Sequence, residues 1–194
     1  MSIRNALNKA VEQNTNGDII DVRKCALDLG CKFGSPFSDA TDKGRIDPVE
    51  NDATSWAVIS LNKKNSESEN NTVIALLLAK FVLMLEGREI KSERIDVFFL
   101  SEMRGFRESP QMLLATRLAI PESVIEKSND LDFNSHGYAQ KSSLMQKFVG
   151  SVFFISDARG FFGILNQLEI GYSSRLGSKS LPSHVRESSR QASA

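Results

Sequence analysis

The sequence predicts an α+β domain, mostly helical with a small β-sheet, and three observations carry that expectation. Apolar residues recur at helical spacing near the start, in the middle and towards the end of the chain. One run, Trp56 to Leu61 (WAVISL), is apolar and β-branched in the manner of a strand. The segment between Cys31 and Ser55 is rich in Gly, Pro, Asp and Ser, as expected of short strands joined by loops. At 194 residues the chain suits one domain with a real core, expected over residues 1–172, followed by a Ser-rich disordered tail at 173–194.

The elements follow in order. Ile3, Ala6, Leu7, Ala10 and Val11 fall on one helical face, so residues 2–13 read as an amphipathic helix broken by Asn14 to Gly17. A second helix is expected from Ile19 to Leu29, with Gly30 as its C-terminal cap. After the strand WAVISL, Ser66-Glu67-Ser68-Glu69 supplies a cap and early acidic residues for an apolar helix over Thr72–Leu85 ending at Gly87. Ile95–Leu100 (IDVFFL) fits a strand or the start of a helix. A helix over Arg107–Ala119 tolerates Pro110 in its first turn, and Pro121 ends it and opens a short helix to Lys127. Residues 128–140 read as a loop, and two C-terminal helices are expected at 141–149 and 157–169. There is no internal repeat.

Composition excludes several classes of function. Lys+Arg and Asp+Glu are equal at 24 each, so nucleic-acid binding is not expected from overall charge. Lys141 to Arg190 holds seven basic against three acidic residues, a mild excess better read as a solvated face. No apolar run approaches the ~20 residues of a membrane span, and MSIRNALNKAVEQ has no apolar h-region, so an exported protein is not expected. Cys25 and Cys31 are the only cysteines and are expected to be half-buried thiols in a reducing cytoplasm.

Spacing alone yields no active site. His136 lies in a polar stretch and His184 in the tail, and neither has a His or Cys at i+3 or i+4 to share a zinc ion. A Gly-x-Ser-x-Gly elbow, a phosphate loop and a Gly-x-Gly-x-x-Gly turn are all missing from the sequence. Paired acids such as Glu67 and Glu69 sit in charged runs that suit a solvated surface.

The order of segments is more informative. IIDVRKCALDLGCKF, GRI at 44–46, WAVISLNKKNSESENNTVIALLLAKFVLML, ESPQMLLATRLAIP and FISDARGFFGILNQLEIG together resemble the ImmA/IrrE metallopeptidase family over residues 18–171. The resemblance implies a zincin-like minimal peptidase fold. In that family a strand and an Asn precede a helix carrying Thr-Leu-Ala-His-Glu-Leu-Gly-His, and a Glu on a later helix completes the metal site. Carried over, the first zinc His falls on Leu76, the catalytic Glu on Leu77, the second His on Lys80 and the third ligand on Glu108.

Chemistry requires what is missing. Two imidazoles at i and i+4 bind Zn²⁺, and the intervening Glu acts as general base on the bound water. Leucine performs neither task, and a protonated lysine repels a cation. The resemblance therefore implies a degenerate relative with no catalytic residue, no metal ligand set and no cofactor, a pseudopeptidase acting by protein binding. Active relatives are implied to cleave helix-turn-helix repressors, often on phage or other mobile elements, so a transcriptional repressor is the expected partner and the edge of Trp56–Leu61 the expected peptide surface. Lys80 is expected to occupy the place of the metal and pair with a buried Glu108. The alternatives are a non-standard peptidase site around Glu108, Asp96 or His136, and a DNA-associated regulatory role.

Overall fold

A computed structural model describes residues 3–49, 55–87, 90–128 and 133–153. The chain opens with helix α1 (Ile3–Gln13), whose apolar face buries Ala6, Leu7, Ala10 and Val11. The expected second helix starts later than its hydrophobic pattern suggests. Ile19 and Ile20 form β2 (Ile19–Ile20), paired antiparallel with β1 (Thr15–Asn16) across a turn in which Gly17 takes φ +60°. Asp21 then caps α2 (Val22–Asp28) by accepting from the Lys24 amide. Gly30, at φ +79°, ends it as expected.

The sheet has four strands in the order β3 (Cys31–Phe33), β5 (Ala57–Leu61), β4 (Asp42–Pro48) and β6 (Glu93–Asp96). β3 runs parallel to β5, with Cys31 opposite Ala57, and β4 is antiparallel to both β5 and β6. The strand read from WAVISL is therefore central and hydrogen-bonded on both sides. It has no free edge for a peptide, and the edges of the sheet are β3 and β6.

Helix α3 (Glu67–Gly87) is the core of the molecule. Every residue from Thr72 to Ala79 is fully buried, because the sheet strands β4, β5 and β6 cover one side and α1, α2 and α5 (Pro110–Ala119) cover the others. A helix surrounded in this way must be apolar all round, which explains a sequence without a polar face. Against the expectation that no segment approaches a membrane span, α3 has the length and apolarity of one, with 61% of its apolar window buried inside the fold. β4 passes so close to α3 that a Cβ at Gly44 would collide with the Val73 side chain.

Ile95–Leu100 is both things its sequence allows. Asp96 ends β6 and caps α4 (Val97–Ser101), accepting from the Phe99 amide. A 3-10 turn at Met103–Phe106 leads to α5, which has Ser109 as N-cap and Pro110 at its first position. α6 (Glu122–Lys127) follows Pro121. The stretch expected to be a loop contains α7 (Ser135–Lys141), because Asn134 caps it and Tyr138 and Ala139 pack into the core. The next helix, α8 (Gln146–Phe153), starts later than expected because Ser142–Met145 are used in a connection tied to α3: the Thr72 hydroxyl accepts from the Met145 amide and Asn71 donates to the Ser143 carbonyl. The helix expected at 157–169, the tail at 173–194, His184 and the domain boundary at residue 172 lie outside the described residues.

Cys25 and Cys31 are deeply buried rather than half-buried, and neither forms a disulfide. Burial pushes both thiols up to about 12, so they remain neutral packing groups.

Candidate functional site

The positions implied by the resemblance lie on α3 and before α5, two helices packed against each other. Leu76 and Leu77 are completely buried. From the facing helix, Gln111 Nε2 donates to the Leu76 carbonyl at 3.2 Å, so the first turn of α5 does reach the level of Leu76. The apolar helix and the later helix expected from the sequence are thus packed together, with buried leucines at two of the positions the resemblance implies.

Lys80 has a different partner from the one expected. Its Nζ lies 2.6 Å from Glu93 Oε2 on β6, with both side chains largely shielded from solvent. The other Glu93 oxygen is 3.9 Å from Lys91 Nζ. Glu108 instead stands in the turn before Ser109, with 71% of its side chain exposed and Arg107 Nε 3.6 Å from Oε1. The expected Lys80–Glu108 pair assumed a buried carboxylate in need of a counter-charge. Solvent and Arg107 remove that need, and the carboxylate that Lys80 neutralises comes from the sheet.

The residues of the alternative peptidase site are each engaged locally. Asp96 is the α4 cap, and exposed His136 meets Gln140 one helical turn on, Nε2 to Nε2 at 3.1 Å. Among the described residues no group of three His, Cys, Asp or Glu could hold a metal ion. The Lys80 ammonium thus stands at the α3 position onto which the resemblance carries the second imidazole.

A denser polar cluster lies at the other end of α3. Ser66 and Glu69 form a reciprocal capping box: the Glu69 amide donates to Ser66 Oγ at 3.2 Å, and the Ser66 amide donates to Glu69 Oε2 at 2.8 Å. Lys43 of β4 donates to Glu69 Oε1 at 2.7 Å. Burial opposes ionisation of Glu69, but the bonds from Lys43 and Ser66 outweigh it and hold its carboxyl below the usual range. Asn62, buried at the end of β5, donates to the carbonyls of Asp39 and Asp42, both at 2.8 Å, and accepts from the Lys64 amide. These bonds fix the approach of β4 and β5 to α3.

Sequence reasoning missed Glu93, Gln111 and Asn62 as organising residues. A signal for Glu93 existed. It precedes buried Ile95 by two residues, so a strand begun at residue 93 places both on one face, towards α3.

No family model, curated protein or solved structure matches this chain.

Proposed function

We propose that the chain is a non-catalytic, ImmA/IrrE-like pseudopeptidase that acts by binding protein, with a helix-turn-helix repressor as the first partner to test. One observation carries the reading: the helix positions that would supply two imidazoles and a carboxylate hold two fully buried leucines and a lysine already paired with Glu93. The order strand, apolar helix and packed later helix supports the zincin-like frame on which that comparison rests. The binding role is set in the cytoplasm, a setting supported by two unpaired cysteines.

The test uses the purified full-length chain. Elemental analysis after growth in zinc-supplemented medium is expected to find substoichiometric zinc, and unfolded protein substrates are expected to stay intact. Affinity capture from the native cell, followed by binding of purified candidates, is expected to recover a repressor-like protein uncleaved. Stoichiometric zinc, or cleavage abolished by Glu108→Ala, would overturn the reading.

A further inference from the structure

At β6 the sheet edge combines outward-facing backbone with exposed apolar side chains. Among the described residues β6 has a strand neighbour on its β4 side alone. The Val97 amide, just past the strand, donates to the Thr41 carbonyl on that side. Hydrogen-bonding groups alternate along a strand, so those of Glu93 and Ile95 face β4 and those of Arg94 and Asp96 face outwards. Five large apolar residues are exposed among the described residues: Leu27, Ile90, Val97, Phe98 and Phe106. Three of them bracket this strand. Ile90 stands three residues before it, and Val97 and Phe98, the latter 65% exposed, follow it directly. A strand edge with such groups at both ends is a template for another strand.

We infer that a second copy of this chain pairs with β6, antiparallel and about a two-fold axis at Ile95, joining the two sheets edge to edge. Charge selects the register. Arg94 and Asp96 share the sheet face opposite to Ile95, and centring on Ile95 sets Arg94 of each copy against Asp96 of the other. Moving the axis to Arg94 would oppose two arginines instead. In the Ile95 register the outward Asp96 amide of one copy donates to the outward Arg94 carbonyl of the other, and the reverse. Arg94 meets Asp42 at 3.2 Å yet keeps 74% of its side chain exposed, so guanidinium donors remain for a second carboxylate. Asp96 accepts from the Phe99 amide and has acceptor capacity to spare. Antiparallel pairing also carries Ile90 of each copy towards Val97 and Phe98 of the other, giving both ends of the contact apolar cover. The opposite edge lacks this complementarity: β3 has Lys32 at its centre, and two-fold pairing there would set lysine against lysine. A two-fold axis uses each complementary feature of β6 twice, which makes a second copy the occupant. The inference does not depend on the peptidase-like reading, since Leu76, Leu77 and Glu108 take no part.

Sedimentation equilibrium of the full-length chain tests it, comparing wild type with Ile90→Asp, Arg94→Pro and Arg94→Ala. A contact this small implies a dissociation constant on the order of 10 µM, so wild type is expected to pass from monomer to dimer mass across about 1–200 µM. Arg94→Pro removes an outward amide and projects its ring from the edge, while the bonds from β6 to β4 are kept. Ile90→Asp and Arg94→Pro are each expected to weaken association at least about tenfold. Ile90 is exposed and lies outside the described helices and strands, so its variant decides the matter even if Arg94→Pro perturbs the fold. Arg94→Ala is expected to weaken the dimer several-fold; a tighter dimer would mean that arginine faces arginine, and would overturn the register. Monomer mass at every wild-type concentration would overturn the inference and leave the edge to another occupant. So would a dimer indifferent to both Ile90→Asp and Arg94→Pro, which would assign association to another surface.

Discussion

Near its N-terminus α3 is tied to the sheet by Lys43 and Glu69, and in its C-terminal half by Lys80 and Glu93, about 16 Å further along the helix axis. Both are lysine–glutamate pairs with short contacts and limited exposure, yet they are built differently. Glu69 belongs to the helix, closes its cap and receives Lys43 from β4, so one carboxylate serves two structures. Glu93 belongs to β6 and receives Lys80 from the helix, with Lys91 Nζ 3.9 Å from its other oxygen. The first pair is woven into the backbone hydrogen bonds that start the helix. The second neutralises charge beside a core that is otherwise apolar. The pair at Lys80 is therefore the less interconnected of the two, and the neighbouring Leu76 and Leu77 are core in the full sense.

The largest expected effect comes from treating that core as a site. The triple variant Leu76→His, Leu77→Glu, Lys80→His introduces a His-Glu-x-x-His pattern in sequence alone. It places a carboxylate and an imidazole at fully buried positions and leaves Glu93 without Lys80. Burying unpartnered polar and ionisable groups at two such positions should cost more than about 4 kcal/mol. Chemical denaturation is expected to show loss of the cooperative transition or a large fall in its midpoint. A folded triple variant that binds zinc stoichiometrically would show that these positions can act as a site rather than as core.

How much of this was legible in the sequence depended on whether the deciding interaction was local. α1, the core of α3 and the α5–α6 pair followed from apolar spacing, Ser66, Ser109, Pro110 and Pro121, all of which act within a few residues. The errors came where tertiary pairing overrode local preference. Ile19 and Ile20 suited the apolar face of a helix, but a turn at Gly17 paired them with Thr15 and Asn16. The helix at Ser135–Lys141 was hidden because its polar sequence buries only Tyr138 and Ala139. At the candidate site, leucines at 76 and 77 were readable directly, while the partner of Lys80 was not. Glu93 is embedded in a charged run, and its place on the face of Ile95 shows only once β6 is known to begin at residue 93.

A smaller effect, with a pH signature, is expected at the N-terminal pair. Glu69→Gln removes the negative charge that faces Lys43 and weakens the cap, for a loss of about 1–3 kcal/mol at neutral pH. The sign follows from the lowered folded carboxyl. Its ionised form stabilises the fold in full above the unfolded value near 4.3, and that contribution disappears as pH falls through the depressed folded value. Wild type and variant should therefore differ at pH 7 and converge in acid. Denaturation midpoints measured from pH 7 down to about pH 3 check this; a gap that persists unchanged at the acid end would assign the loss to packing instead.

The smallest effect is expected at Lys80, and it bears most directly on the difference between the two pairs. Lys80→Met keeps the length of the side chain and removes its charge, leaving Glu93 partly shielded but within reach of Lys91. The loss should be about 1 kcal/mol. Glu93→Gln, which leaves the Lys80 ammonium against the core, should cost a similar amount. If the pair acts as a unit, the double variant costs less than the two single losses added together, because no lone charge remains. Combining Lys80→Met with Glu108→Gln instead should give additive losses, since solvent and Arg107 already satisfy Glu108. Coupling in that second cycle, with none in the first, would reassign the partner of Lys80 and restore the arrangement that the metal-site resemblance implies.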